Sequence, residues 1–236
     1  MKPEIPKIIH QIWAGKYEPL PDYFRDLGDG WKKLHPDFSY RFWNENSMNH
    51  FISEHFPDLF EIYESYPFDI QRWDVIRYLI LYKLGGVYID FDYECLQSIA
   101  PLISGKYCCF AMEPEEHAEI FQKKMIFNNA LMASVPNHPF MKKVIDTCFS
   151  KQYLQDCDLK DKFELVLQTT GPWMLADVFE KNPCKDDVYL IPAKYVSPFS
   201  KMDVQHVLAG EKNEILEEKL NEAYAIHYFI GGWLTE

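Results

Sequence analysis

Between Asp69 and Asp92 the hydrophobic period of the sequence changes once, across two glycines, and this constrains the fold more than any other feature. Ile70, Trp73, Ile76, Ile80 (or Leu81) and Leu84 recur at helical spacing, which predicts a helix over Asp69–Leu84. Gly85-Gly86 supplies the stop, and Val87-Tyr88-Ile89-Asp90-Phe91-Asp92 then alternates as a strand. The remaining segments also alternate. Strands are expected at residues 7–13, 39–43, 107–112, 188–191 and 225–228. Helices are expected from Asn44 or Asn46 to about 56, then at 58–66, 139–153, 172–181 and 215–224. Such alternation argues for an α/β sheet with helices on both faces, and 236 residues suit a single domain. Residues 113–129 are acidic, then basic, and read as a mobile flap.

In a strand, side chains alternate, so Tyr88, Asp90 and Asp92 would share one face. The two carboxylates would then lie about 6–7 Å apart and hold one cation at the strand's carboxyl end. Hard oxygen ligands favour Mn²⁺ or Mg²⁺. An Asp-x-Asp pair alone is weak evidence, because Asp156-Cys157-Asp158 repeats it in a polar stretch that reads as solvated surface. The context of the first copy sets it apart: a hydrophobic strand ending in two acids needs a compensating cation or ligand. Asp74 and Arg77 share a helix face one turn apart. They form either a local ion pair or, carried toward the carboxylates by the glycine turn, a pair that holds sugar hydroxyls and phosphate. His227 lies on a short apolar strand, as a core residue or as a nitrogen ligand to the same cation.

The formal net charge of −12 leaves no basic footprint for nucleic acid. A chain this acidic needs a cation to host a diphosphate. The six cysteines show no metal spacing, residues 1–7 resemble no signal peptide, and the longest apolar stretch, near Tyr78–Tyr82, is too short to span a bilayer. These features suggest a soluble cytosolic protein with reduced thiols. Neither a P-loop nor a dinucleotide fingerprint is present. A phosphohydrolase using Asp-x-Asp would carry Thr or Val where this chain has Glu94.

Together, Ile5-Pro6-Lys7-Ile8-Ile9-His10-Gln11-Ile12-Trp13, Tyr40-Arg41-Phe42-Trp43, Asp74-Val75-Ile76-Arg77-Tyr78, Leu81-Tyr82 and Gly85 through Asp92 resemble the family of glycosyltransferases with the DXD sugar-binding region. Asn129-Ala130, His138-Pro139-Phe140, Thr170-Gly171-Pro172 and the stretch from His227 to Trp233 extend the likeness over nearly the whole chain. The family includes fungal initiating α-1,6-mannosyltransferases, animal α-1,4-galactosyltransferases and bacterial capsule and lipopolysaccharide enzymes.

The resemblance implies one GT-A domain over residues 1–236, with a mixed, mostly parallel sheet. Residues 1–112 would bind the nucleotide sugar, and 113–236 would form the acceptor side and a closing metal and diphosphate segment. The implied reaction moves a hexose from a UDP- or GDP-sugar to a glycan, lipid-linked or polysaccharide acceptor, with retention and with Mn²⁺ or Mg²⁺. A non-catalytic nucleotide-sugar-binding module is the alternative.

Carried onto this chain, Asp92 would ligate the metal and Asp90 the metal and ribose, with His227 as a late ligand. Asp74 and Arg77 would hold the donor sugar, and Tyr88 would line the site. Trp13, beside Ile12, would stack on the base, Asn129 would face the sugar, and Trp233 would reach the diphosphate. Two positions depart from the family: Trp73 stands where a small residue is usual, and Gly232 where Ser is frequent. The lack of an anchor suggests a bacterial cytoplasmic enzyme that meets membranes only through its acceptor.

Overall fold

A computed structural model of the chain describes residues 3–14, 19–156, 161–211 and 213–230. Eight strands are described: β1 (Ile8–Ile12), β2 (Ser39–Trp43), β3 (Gly86–Ile89), β4 (Tyr93–Cys95), β5 (Cys108–Met112), β6 (Phe127–Ser134), β7 (Tyr189–Ile191) and β8 (Ala225–His227). Six of them form a sheet in the order β2-β1-β3-β6-β5-β7. Every strand of it runs parallel to the others except β6, which is antiparallel to both β3 and β5. β4 and β8 make a separate antiparallel pair. The carboxyl ends of β1, β2, β3 and β5 therefore share one edge with the beginning of β6.

Helices cover both faces. Tyr88, Cys108, Phe110 and Met132 point into a cluster with the helices Glu45–His55, Asp69–Leu84, Pro139–Cys148 and Pro172–Glu180. Val87, Ile89, Cys109, Leu131 and Ala133 point the other way, onto Trp31 of the helix Asp22–Leu34. Adjacent Cys108 and Cys109 thus face opposite layers, and both are free. The helix Asp69–Leu84 has the predicted ends. Gly85 (φ 66°) and Gly86 (φ 104°) make its exit turn, and a Cβ on Gly86 would lie 2.7 Å from the carbonyl oxygen of Ile8. Only glycine combines that φ with that approach.

Three expectations are corrected. The strand predicted to reach Asp92 ends at Ile89, and Asp90-Phe91-Asp92 forms a turn. Phe91 leaves the strand line to pack edge-on against Trp13 (5.9 Å between ring centroids) and Phe42 (6.1 Å). It lies beneath Gly28, where an added Cβ would come within 2.9 Å of its ring.

Residues 113–129 carry regular structure: the helix Glu115–Ile120 leads to β6, all eight of whose residues are buried. A strand covered on both faces loses the polar alternation that reveals strands, and Asn128-Asn129 obscured it further. The single helix expected over 139–153 is two, Pro139–Cys148 and Lys151–Asp156. The helices Asp22–Leu34, Lys162–Thr169 and Lys201–Leu208 were not anticipated.

Candidate active site

Asp74 and Arg77 lie in the first nine residues of the helix Asp69–Leu84, which runs antiparallel to β3 and so begins near that strand's carboxyl end. Arg77 is buried and forks between acids, with Nη1 3.2 Å from Oδ2 of Asp90 and Nη2 3.5 Å from Oδ1 of Asp74. It also donates to the carbonyl oxygens of Asn129 (3.1 Å) and Trp73 (3.1 Å) and lies 4.8 Å over the Tyr88 ring. Asp74 accepts from Asn129 Nδ2 (2.8 Å) and Thr170 Oγ1 (2.8 Å). Tyr78 closes the network, accepting from Asn129 Nδ2 (2.9 Å) and donating to the Thr170 carbonyl (2.7 Å).

Burial pushes the Asp74 carboxyl up to about 6, although Arg77, Thr170 and Asn129 all favour its ionised form. Burial also raises Asp90 against the pull of Arg77. For Arg77 burial opposes the charge, but the neighbouring Asp90 carboxylate, Tyr88 and Asp74 outweigh it, so the guanidinium is held more firmly protonated than usual. Tyr88 donates its hydroxyl to Asp90. The Asp90 amide, donating to the Ala130 carbonyl at 2.8 Å, fixes the turn against β6.

Asp92 faces a different set of partners. Its Oδ1 lies 3.4 Å from His227 Nε2, its Oδ2 accepts from the Ile230 amide (2.9 Å), and its carbonyl accepts from the Tyr228 amide (2.9 Å). His227 stacks on Tyr93 (4.2 Å, 10°) and meets Phe229 at 4.0 Å. Burial opposes both charges, yet each holds the other: His227 keeps Asp92 below the usual carboxylate range, and Asp92 raises His227.

The structure thus brings Asp74, Arg77, Tyr88, Asp90 and Asn129 into one network and sets Asp92 with His227 beside it. Ile12 ends β1 at the same edge, where the Trp13 amide donates to the Trp43 carbonyl. The half-buried Trp13 ring rests on Phe24 (5.0 Å) as well as on Phe91. Trp233 and Gly232 lie outside the described residues, as do the last two residues of the second Asp-x-Asp. Sequence reasoning missed Thr170 as a partner of Asp74 and Tyr78 as the residue that ties Asn129 to Thr170. The signal for Tyr78 was its place four residues after Asp74 on the same helix face.

Among the described residues, no three His, Cys, Asp or Glu side chains converge to hold a metal. Asp92 and His227 do come together, while both Asp90 oxygens have protein partners. The buried Nδ1 of His227 has no hydrogen-bond partner. An imidazole whose Nε2 faces the carboxylate of Asp92, two residues along the chain from Asp90, and whose Nδ1 is unpartnered suits a divalent cation, so the residues present fit one.

A mostly parallel sheet with acids and an arginine at its carboxyl edge defines the class: this is the GT-A fold of glycosyltransferases. The architecture matches that of a solved glycosyltransferase, "PaToxG Glycosyltransferase", with a TM-score of 0.57 at 18% identity, over 95% of this chain and 90% of that one. It also matches the UDP-bound glycosyltransferase domain of the YGT toxin (TM-score 0.55, 12% identity, 93% of this chain and 89% of that one).

Residues 21–110 match the family described as the glycosyltransferase sugar-binding region containing DXD motif. An uncharacterized glycosyltransferase of Acanthamoeba polyphaga mimivirus is 30% identical over 201 residues, 82% of this chain and 73% of that protein. The chain belongs to this DXD glycosyltransferase family. Inositol phosphoceramide mannosyltransferase 3 of Schizosaccharomyces pombe is 36% identical over 177 residues, 74% of this chain. Inositol phosphoceramide mannosyltransferase 2 of the same yeast is 31% identical over 182 residues, 76% of this chain. The chain spans about half the length of these yeast relatives, 45% and 48%. Kinship with yeast and viral proteins overturns the expectation of a bacterial cytoplasmic enzyme. Among the described residues, no helix is long and apolar enough to cross a membrane.

Proposed function

We propose that this protein transfers a hexose, in the first instance mannose, from a nucleotide diphosphate to a hydroxyl of a glycan or lipid-linked saccharide, with retention of configuration and with a divalent cation. The observation that carries this is the buried Arg77 fork between Asp74 and Asp90, placed beside the Asp92–His227 pair at the carboxyl edge of the sheet. Mannose is suggested by the names of the yeast relatives.

Asp92 and His227, with Asp90, would hold Mn²⁺ or Mg²⁺, which supplies Lewis-acid stabilisation of the charge that builds on a departing diphosphate. Asp90 is the most open of the acids, its side chain 28% exposed against 6% for Asp74. It is the one placed to meet ribose or sugar hydroxyls. Asp74 acts through what it orients, fixing the Asn129 amide and the Arg77 fork. Arg77 brings a permanent positive charge to the edge where negative charge develops, in a site whose dipoles are set before reaction. Tyr88 lines the same wall. Trp13 offers a partly open ring for the base, and Trp233 would reach the diphosphate.

A thermal-shift panel of UDP- and GDP-sugars, with and without Mn²⁺, tests this reading. A true donor at a hundred times its Kd raises stability by roughly 2.7 kcal/mol, and only with the metal. Shifts that ignore the metal, or no shift with any sugar nucleotide, overturn it.

A further inference from the structure

Three large rings gather beside the site: Phe121 directly after the helix Glu115–Ile120, Phe163 in Lys162–Thr169, and Trp173 in the first turn of Pro172–Glu180. Phe121 and Trp173 are 5.7 Å apart and edge-on (70°), Phe163 and Trp173 6.3 Å and 80°, Phe121 and Phe163 5.9 Å and 34°. All three are half-buried, and Phe121 and Trp173 belong to none of the apolar cores. The Lys123 ammonium lies 4.8 Å over the half-buried Trp173 ring, so one face of that ring already meets a polar group. Phe121 is presented by a turn in which Gln122 takes φ 50°, a left-handed conformation that L residues rarely adopt.

The cluster joins the two walls of the active site. Trp173 follows, three residues on, Thr170, whose hydroxyl donates to Asp74 at 2.8 Å. On the other side, the helix leading to Phe121 carries His117, whose ring meets Phe229 at 4.8 Å, and Phe229 meets His227 at 4.0 Å. With a saccharide acceptor, as proposed above, the attacking hydroxyl belongs to a second ring that lies beside the donor. Aromatic faces hold the C–H side of a pyranose while leaving its hydroxyls free, and an ammonium or amide at the rim can bind those hydroxyls.

We propose that Phe121, Phe163 and Trp173, rimmed by Gln122 and Lys123, form the subsite that stacks the pyranose ring of the acceptor. This rests on the transferase reading above. The direct test is ¹⁹F NMR of the full chain labelled with 5-fluorotryptophan, which carries six tryptophans. Trp173→Phe assigns the signal, and methyl α-mannopyranoside is the probe.

The Trp173 signal is expected to shift saturably at millimolar sugar, and Phe121→Leu to weaken half-saturation about threefold to tenfold while nucleotide–Mn²⁺ affinity is unchanged. A Trp173 signal that stays fixed while the nucleotide still binds overturns the subsite and leaves the transferase reading standing. An equal shift with the open-chain polyol sorbitol also overturns it, because ring stacking would then not be the cause. Sugar binding at Trp173 without any nucleotide response sinks the transferase reading while the stacking surface survives.

Discussion

Asp90 and Asp92 are two residues apart, yet they belong to different parts of the molecule. Asp90 is tied inward: to Tyr88 on β3, to Arg77 on the helix that precedes β3, and through its amide to β6. Asp92 is tied outward, to His227 on β8 and to the Tyr228 and Ile230 amides beyond it. The inner partners stand on a six-stranded sheet and a sixteen-residue helix. The outer ones hang on a pair of three-residue strands and on Phe229, held at φ 49°. Their electrostatics differ as well. Burial raises the inner carboxyls of Asp74 and Asp90, whereas Asp92 and His227 each stabilise the other's charge. The inner half is over-determined by the fold, and the outer half rests on a few bonds that a ligand can exchange.

The largest effect expected from this contrast is at Arg77. Arg77→Met strands the buried Asp74 carboxylate and removes a partner of the partly exposed Asp90, and should lower unfolding free energy by about 3–5 kcal/mol, read as a shift in the urea midpoint. His227→Ala, on the outer side, should cost about 1–2 kcal/mol. Equal midpoint shifts for the two variants would erase the distinction. Asp92→Asn reverses the ranking for activity. The protein should stay folded, with a circular dichroism spectrum like the parent's, while transfer falls roughly 10²–10³-fold. Parent-like turnover by a folded Asp92→Asn protein removes Asp92 from the chemistry.

The pH dependence of stability sharpens the same contrast. The Asp74 carboxyl is raised from 3.8 to about 6 on folding, so between those values the native state binds more protons than the unfolded chain. Stability from this group is therefore present in acid and declines as pH rises from about 4 to 6, by at most about 3 kcal/mol. Asp92 has the opposite sign: its contribution is present above the unfolded carboxyl value and is lost only in stronger acid. Asp74→Asn should flatten the midpoint-against-pH curve between pH 4 and 6, with Asp90 keeping part of the slope. An unchanged slope would mean that Asp74 stays ionised throughout.

Much of the inner half was legible in the sequence, because local rules wrote it. The helix Asp69–Leu84, its glycine exit and the approach of Asp74 and Arg77 to the acids all follow from period and turn chemistry within one continuous segment. The outer half was legible only as single residues. His227 sits far from Asp92 in the chain, and no local pattern sets their 3.4 Å approach. β6 escaped because a strand buried on both sides carries no alternation. The turn at Phe91 escaped because its cause, the space left by Gly28, lies on a helix that sequence patterning did not reveal. Thr170 is placed by long-range packing of Lys162–Thr169 on Asp69–Leu84, which no window of sequence contains.

The smallest expected effect isolates one hydroxyl in each half. Tyr78 is fully buried, and its oxygen links Asn129 Nδ2 to the Thr170 carbonyl, the two neighbours that keep Asp74 in place. Tyr78→Phe leaves the ring packed but the Thr170 carbonyl without this donor, for a loss of about 1–2 kcal/mol. Tyr228 donates its hydroxyl to Glu94 in the outer half, where the side chain is partly open to water. Tyr228→Phe should change stability by no more than about 0.5 kcal/mol, since water replaces the lost partner. Denaturant midpoints of the two variants decide the matter: a Tyr228→Phe loss as large as that of Tyr78→Phe would show that the closing segment is held as firmly as the core network, and that it is no easier for a ligand to displace.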